Sequence, residues 1–307
     1  MKVLIAVAAV VLALAVGFLV AGLVTDSDAT SAGPVPSGPT TTEDTTEVAP
    51  TTTGEEEPGT GTETEPVADE VTYQVWFVND DGLFVAYRTE PATPRVGTAA
   101  VESLLEGPDA FETGYGLSTA IPEGTELLGL TIGDGIARAD LTSEFESGGG
   151  TLSMQSRLAQ VVFTLTQFPT VDGVVFSLDG EPVDVLGGEG IIIDQPLTRR
   201  DFADLLPVIL VTTPALNQAV ESPILIRGSA NVFEANVGIQ ILDEDGDVIV
   251  ETFTTATCGS GCRGTYRTTV PYRVDRAQNG TIVVHDDDAA GTGSFPHEVR
   301  IPVRLLP

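Results

Sequence analysis

The folded part of this chain opens with the stretch YQVWFVNDDGLFVAY, residues 73–87. Tyr73, Val75 and Phe77 recur at every second position, which is the period of a β-strand. The sequence Asn79-Asp80-Asp81-Gly82 is a turn signal, and a second apolar run follows it. The stretch therefore predicts a β-hairpin. Trp76 and Tyr73 are expected in the core of that hairpin first, and as a ligand platform only second.

Strand and helix patterns alternate from this hairpin to about residue 205. Apolar residues at positions 100, 101, 104 and 105 predict a short helix that Gly107-Pro108 stops, and a second helix is predicted from about Ser153 to Phe168. Further strands are predicted at 125–131, 136–141, 171–178 and 182–185. Mixed elements joined by short turns are typical of the α+β class, so we predict an α+β domain over residues 71–205.

Residues 206–307 contain short strand-like runs and no competing helical period. These runs are 208–211, 224–227, 237–242, 248–255, 264–270, 281–284 and 298–305. Six or seven short strands at this spacing are typical of an all-β sandwich. We therefore predict a second folded domain of this class over residues 206–307.

The N-terminal residues 1–25 predict a membrane anchor or a signal peptide. Val3 to Val24 is an apolar run of 22 residues without a charge, enough to cross a hydrocarbon core of about 30 Å as a helix. Lys2 precedes this run and the next basic residue is Arg88, which places the N-terminus in the cytoplasm. A retained single-pass transmembrane helix is preferred. The alternative is cleavage near Ser27-Asp28-Ala29, which would secrete the protein.

Residues 26–70 predict a disordered acidic stalk. This segment is rich in Thr, Pro, Gly and Glu, and it contains twelve acidic residues and no basic ones. It has too few apolar residues to offset the entropy cost of ordering. We expect a linker that lifts the folded domains away from the bilayer.

Composition excludes several classes of function. The 307 residues contain 14 basic and 45 acidic side chains, a formal net charge of −31. This balance argues against nucleic acid as a partner, because affinity for phosphate backbones depends on basic residues. Two cysteines and two histidines leave little material for a metal centre or for histidine-based catalysis, and no nucleophile or nucleotide-binding motif is found. We predict no catalytic residue, no metal site and no cofactor.

Several stretches of the first domain resemble the GerMN domain of sporulation and germination proteins. They are AAVESLLEGP at 99–108, IPEGTELL at 121–128, DGIARADL at 134–141, QVVFTLTQF at 160–168 and VVFSLDG at 174–180. The resemblance covers most of residues 71–205 in the right order. It implies a small α+β module of extracytoplasmic envelope proteins, and it implies no active site.

The second domain resembles the immunoglobulin-like domain of bacterial spore germination. The resembling stretches are TPALNQ at 213–218, SPILIRGSANVFEANV at 222–237, DEDG at 243–246, GTY at 264–266 and VPY at 270–272. The sequence CGSGC at 258–262 departs from the pattern of that family. In an oxidising exterior, Cys258 and Cys262 predict a disulfide that pins a loop.

Three charged clusters each have a structural interpretation and an alternative in which they bind a ligand. Asp243, Asp245 and Asp247 predict a solvated hairpin turn, with weak calcium binding as the alternative. His285-Asp286-Asp287 with His297 predicts a strand-end loop, with a two-histidine, one-carboxylate metal site as the alternative. Arg199-Arg200-Asp201 lies near the domain junction, where it would pair with acids or contact an anionic wall polymer.

We therefore expect a non-enzymatic, membrane-anchored envelope protein whose extracytoplasmic domains bind an envelope protein or a cell-wall polymer. The alternatives are a cell-envelope hydrolase that uses Asp or Glu chemistry and a calcium-dependent surface adhesion module. The leader and the composition place the folded domains outside the cell membrane.

A protease test checks this topology. Protease added to intact cells should cut the acidic segment 26–70, since an exposed, unfolded segment is an accessible substrate. Immunoblotting of the folded domains gives the readout. Protection in intact cells together with cleavage after lysis would contradict the predicted orientation.

Overall fold

The structure, a computed structural model, describes residues 70–188, 190–287 and 295–307. The predicted anchor, residues 1–25, and the predicted stalk, residues 26–70, lie outside these ranges except for Glu70. Within the described ranges, no helix has both the length and the apolar character that crossing a membrane requires.

The opening stretch forms the predicted hairpin. Strand β1, Glu70–Asn79, pairs antiparallel with β2, Gly82–Pro91. The Asp81 amide donates a hydrogen bond to the Asn79 side-chain oxygen at 3.0 Å, which stabilises the turn. Tyr73 and Trp76 are only 2% and 1% exposed, so both are core residues, as expected.

Three α-helices follow in the first part of the chain: α1 Val96–Glu106, α2 Ala110–Tyr115 and α3 Thr151–Leu165. Helix α3 ends three residues before the predicted end. The cause is Gln167, whose side chain bonds both the amide and the carbonyl of Gln74 in β1 at 2.7 Å. This pair of bonds draws the chain out of the helix and onto the hairpin.

Helix α2 was not predicted. A capping box starts it: the Asp109 carboxylate accepts from the Glu112 amide, and the Glu112 carboxylate accepts from the Asp109 amide, each at 2.8 Å. Glu112 also pairs with Arg88 of β2 at 2.7 Å, which fixes the helix to the hairpin. The Asp-x-x-Glu spacing is a helix-start signal that was legible in the sequence.

Six short strands complete the first part: β3 Leu127–Gly133, β4 Ile136–Leu141, β5 Gly173–Leu178, β6 Glu181–Pro182, β7 Val185–Leu186 and β8 Ile191–Ile192. The first four form one sheet in the order β3-β4-β5-β6. Strands β4 and β5 are parallel, and α3 is the crossover between them. Helix α3 packs against β1 and β5, so this part of the chain has the predicted mixture of helices and strands.

The second part is β-rich, and its described residues form eight strands: β9 Ile209–Thr213, β10 Ala219–Val220, β11 Ile224–Ala230, β12 Asn236–Leu242, β13 Val248–Thr255, β14 Gly264–Val270, β15 Gln278–His285 and β16 Glu298–Leu305. They form a five-stranded sheet, β10-β16-β15-β12-β13, and a three-stranded sheet, β14-β11-β9. Both sheets bury alternate residues, such as Ile226 and Tyr266 in one and Ile239 and Val284 in the other.

The two described parts belong to one compact unit, and two tyrosines connect them. The Tyr87 hydroxyl in β2 donates to the Thr212 carbonyl in β9 at 2.5 Å. The Tyr115 hydroxyl in α2 donates to the Arg300 carbonyl in β16 at 2.6 Å. Burial raises the pKa of Tyr115 to about 12, so this hydroxyl remains a donor at ordinary pH.

The connector, residues 205–208, is held by Arg263. The guanidinium of this half-buried residue donates to the carbonyl of Pro207 and to the Ser229 hydroxyl, the latter at 3.0 Å. It has no carboxylate partner among the described residues, and burial lowers its pKa. These bonds fasten the connector to β11 of the second part.

Gly82, at the start of β2, lies against the connector. Its φ of +127° is unfavourable for any residue with a side chain, and a Cβ there would collide with the Leu205 carbonyl oxygen. We expect Gly82→Ala to lower the free energy of unfolding by about 2 kcal/mol.

Urea denaturation of Gly82→Ala and of Gly129→Ala measures this effect. Gly129 in β3 has an ordinary φ and open space around its Cα, so its variant is the matched control and should change stability much less. Equal denaturation midpoints for the two variants would contradict the assignment.

Candidate binding cleft

A cleft with a volume of about 670 Å³ lies between the two parts and takes its walls from both. This size is typical of pockets that hold small ligands or a few units of a polymer. The lining residues come from β1, α3 and the turn at 199–205 on one side, and from β9, β11, β13 and β14 on the other. They include Gln74, Trp76, Phe163, Arg199, Thr212, Arg227, Ser229, Thr257, Thr265, Tyr266 and Arg267.

Two aromatic rings and one guanidinium form the wall on the first part. The Trp76 and Phe163 rings have centroids 4.8 Å apart and planes inclined at 59°. The Arg199 guanidinium carbon lies 5.3 Å from the Trp76 ring centroid and 4.8 Å from that of Phe163. A cation at these distances over an aromatic ring is attracted by the ring's negative face.

The end of helix α3 fixes the position of Arg199. Its Nε donates to the Thr166 hydroxyl at 2.8 Å, and its Nη2 donates to the Phe163 carbonyl at 2.9 Å. Carbonyls in the last turn of a helix lack helical partners and attract positive charge. Burial lowers the pKa of Arg199. The expectation that this residue pairs with an acid is wrong, because helix carbonyl and hydroxyl oxygens take that place.

The two residues that follow Arg199 play different parts. Asp201 accepts hydrogen bonds from the Thr198 amide at 2.7 Å and from the Thr198 hydroxyl at 2.9 Å, so it caps the short turn. Arg200 is exposed. Only the first residue of the cluster Arg199-Arg200-Asp201 therefore contributes to the cleft.

The indole of Trp76 has an unused hydrogen-bond donor. Its Nε1 atom is buried and has no hydrogen-bond partner among the described residues. A buried donor without an acceptor is uncommon in folded proteins, where water or a ligand normally completes it.

The opposite wall presents two arginines from neighbouring strands. Arg227 in β11 lies directly opposite Arg267 in β14 in the antiparallel register. Both side chains are exposed, and neither forms an ion pair or a hydrogen bond with a described residue. Two like charges at directly opposed positions destabilise a sheet, so this arrangement costs stability.

The cleft contains no carboxylate: no Asp or Glu is among the described residues that line it. This contrasts with a chain that has 45 acidic residues and 14 basic ones. Every positive side chain after Lys2 is an arginine. Arg199, Arg227 and Arg267 thus line a cleft that has no negative side chain among its described residues, which we call the arginine cleft.

Tyr87 closes one edge of the cleft and joins its two walls. Its hydroxyl accepts from the Gln74 side chain at 3.2 Å and donates to the Thr212 carbonyl. Burial raises the pKa of Tyr87, and the positive charge of Arg227 acts in the opposite direction. The walls are therefore held in a fixed arrangement around the arginines.

A second cleft, of about 850 Å³, has the opposite chemistry. Asp81, Glu251, His297, Glu298 and Arg300 are among its lining residues. Glu298 bonds Arg300 at 2.9 Å, so part of its charge is already compensated.

The structure joins Cys258 and Cys262 by a disulfide, with Cα atoms 5.8 Å apart. Their loop packs on the segment before β12: the Ser260 amide donates to the Val232 carbonyl, and the Glu234 amide donates to the Ser260 hydroxyl, each at 2.9 Å. Neither cysteine lines the arginine cleft. The disulfide in the cell remains a prediction.

One of the three aspartates of the β12–β13 turn, Asp243, uses its carboxylate within the turn. The Asp243 carboxylate accepts from the amides of Asp245 at 3.0 Å and Asp247 at 2.9 Å. This arrangement is that of a hydrogen-bonded hairpin turn. No cluster of three metal-ligating side chains exists in the described ranges.

The two histidines contact Asp286 in different ways. The His285 Nδ1 atom lies 2.7 Å from the Asp286 carbonyl, while the His297 Nδ1 atom lies 2.7 Å from the Asp286 carboxylate. The His285 ring also stacks on Phe295, with centroids 3.5 Å apart. These contacts lie at the end of β15 and just before β16, and the interpretation of this cluster as a strand-end loop stays a prediction.

The described fold is an α+β module followed by a β-rich module, with a cationic cleft between them. Residues 74–184 match the family described as sporulation and spore germination. Residues 208–293 match the family described as the immunoglobulin-like domain of bacterial spore germination. The chain therefore carries a GerMN-type domain followed by an immunoglobulin-like domain of this kind, which confirms both resemblances.

Solved structures that match parts of this chain include the first GerMN domain of the sporulation protein GerM from Bacillus subtilis. It is 26% identical, with a TM-score of 0.37, and the match covers 43% of this chain and 99% of that one. The tandem GerMN domains of the same protein are 15% identical over 77% of this chain and 60% of that one, with a TM-score of 0.38. A putative lipoprotein from Clostridium perfringens is 23% identical over 44% and 92%, with a TM-score of 0.33. No curated protein matches the sequence.

The contribution of Arg199 to the cleft wall can be measured. We expect Arg199→Gln to lower the free energy of unfolding by about 1–3 kcal/mol, because it removes two hydrogen bonds and the contact with both rings. Arg200→Gln removes the same charge from an exposed neighbour and should be nearly neutral. Urea denaturation followed by Trp76 fluorescence compares them, and equal stabilities would contradict the assigned role.

Proposed function

We propose that this protein is a non-catalytic binding module of the bacterial cell envelope, anchored by its N-terminal apolar segment and displayed outside the membrane. The observation that carries the proposal is the carboxylate-free cleft that both domains build together. A surface assembled from two domains needs both of them in a fixed relation. The tyrosine bonds to Thr212 and Arg300 supply that relation.

The chemistry of the cleft supports binding over hydrolysis. Cleavage of glycosidic bonds in most families needs two carboxyl groups on either side of the scissile bond. None lines the arginine cleft. Arginine and threonine side chains instead provide hydrogen-bond donors, which suit recognition.

The apolar run Val3 to Val24 supports placing the module at the membrane. The matched families are described by sporulation and spore germination, and this supports a role in the envelope of a bacterium. The partner we propose is a cell-wall polymer or an envelope protein that enters the cleft. The acidic segment 26–70 would serve as the spacer between membrane and cleft.

A sedimentation assay with purified cell-wall fragments tests this function. The full-length protein should sediment with the fragments and release no soluble sugar or peptide. Thr265→Tyr places a bulky side chain on the cleft wall and should weaken retention about tenfold, a loss of about 1.4 kcal/mol. Thr269→Tyr is the matched control, because Thr269 is exposed on the same strand and does not line the cleft.

Release of soluble products that Glu251→Gln abolishes would replace this proposal with a hydrolase centred on the second cleft. A melting temperature raised by millimolar calcium would favour the adhesion alternative, since a ligand bound to the native state stabilises it. Equal retention of the two threonine variants would show that the fragments bind elsewhere.

A further inference from the structure

We infer that the cleft binds a ligand with phosphate or carboxylate groups, and that Arg227 and Arg267 recognise those groups together. This inference rests on the proposed function and specifies the chemistry of the ligand.

The first argument is the cost of the arginine pair. Arg227 and Arg267 are directly opposed on adjacent strands, and no described carboxylate lies between them or elsewhere in the cleft. No described carboxylate therefore compensates the repulsion between these two positive side chains. An anion that contacts both side chains converts this repulsion into two favourable interactions, so the pair is arranged for a negative ligand.

The second argument is that the cleft offers donors in excess. A guanidinium group has five N–H donors and no acceptor, and its planar fork matches the two oxygens of a phosphate or a carboxylate. Arg199 adds a third guanidinium from the facing domain, over the Trp76 and Phe163 rings. The threonine hydroxyls of β13 and β14 add neutral donors.

The third argument is selectivity within a strongly acidic protein. A net charge of −31 repels anions from most of the surface. A cleft without carboxylates, lined by three arginines from two domains, is a local reversal of that charge. It admits an anionic group that can reach into the cleft, and the closely spaced pair favours ligands with more than one negative group.

Trp76 makes binding directly observable, because it is the sole tryptophan of the chain. The full-length protein is titrated with tripolyphosphate, with citrate, and with an uncharged chitin oligosaccharide, and Trp76 emission and calorimetry are recorded. We expect saturable binding of tripolyphosphate, of citrate, or of both, that weakens at high salt. The two anions distinguish a phosphate-bearing from a carboxylate-bearing ligand.

The double variant Arg227→Gln/Arg267→Gln should weaken anion binding about tenfold or more. Its melting temperature should equal or exceed that of the wild type, because the repulsion is removed. Arg138→Gln/Arg304→Gln is the matched control, since both residues are exposed, lie outside the cleft and remove the same charge. The single variant Arg267→Gln serves if the double variant does not fold, and it should also weaken binding.

Failure to bind either anion, or equal weakening by the control variant, would overturn the inference. A lower melting temperature for the double variant with unchanged anion affinity would also overturn it, because the arginines would then be structural. Retention of wall fragments without anion binding would contradict this inference but agree with the proposed function. Anion binding without retention of any envelope material would agree with this inference but contradict the proposed function.

Discussion

Buried guanidinium groups that lack carboxylate partners are the constraint on which this structure depends. Removing a charged group from water is costly unless its donors are satisfied. Arg157, only 2% exposed, donates to the carbonyls of Phe145, Ser147 and Gly148 at 2.6–3.1 Å. Arg199 and Arg263 are satisfied in the same way, by helix-end and connector carbonyls. Arg157 and Arg263 therefore hold loop and connector backbone, while Arg199 holds the last turn of helix α3.

This use of backbone oxygens has a consequence for the cleft. A carboxylate partner for Arg199 would have neutralised the wall and blocked its contact with the aromatic rings. Carbonyl and hydroxyl acceptors hold the side chain without cancelling its charge. The same choice at Arg263 fastens the connector, so the two domains keep the arginines of β11 and β14 facing Arg199. The fold therefore holds the Arg199 guanidinium in position and leaves its positive charge uncompensated.

Much of the fold could be predicted from the sequence, because the deciding signals are local. The alternation in residues 73–87 and the turn at Asn79 to Gly82 specified the hairpin, and strands β12 to β14 and β16 fall within one residue of the predicted runs. Helix α2 was missed because its six residues show no apolar period. Its Asp109 and Glu112 capping box was the available signal.

Of the three arginines that line the cleft, only Arg199 was singled out from the sequence. Arg199 stood out in sequence because it lies at the domain junction, and the pairing then expected for it proved wrong. Arg227 and Arg267 lie 40 residues apart and become neighbours only through the register of β11 and β14. Trp76 was correctly assigned to the core. The sequence pattern of a strand or helix indicates which of its faces is buried. This cleft depends instead on which strands and helices pack against one another, and the pattern does not indicate that.

The absence of lysine after Lys2 has a practical and biological meaning. Acetylation and other amine-directed modifications have no side-chain target in the described domains, so the cell cannot switch off the positive charge of the cleft by that route. Amine-reactive reagents likewise couple only at the N-terminal end of the chain. Immobilisation through primary amines would therefore present every molecule in the same orientation, with both domains free.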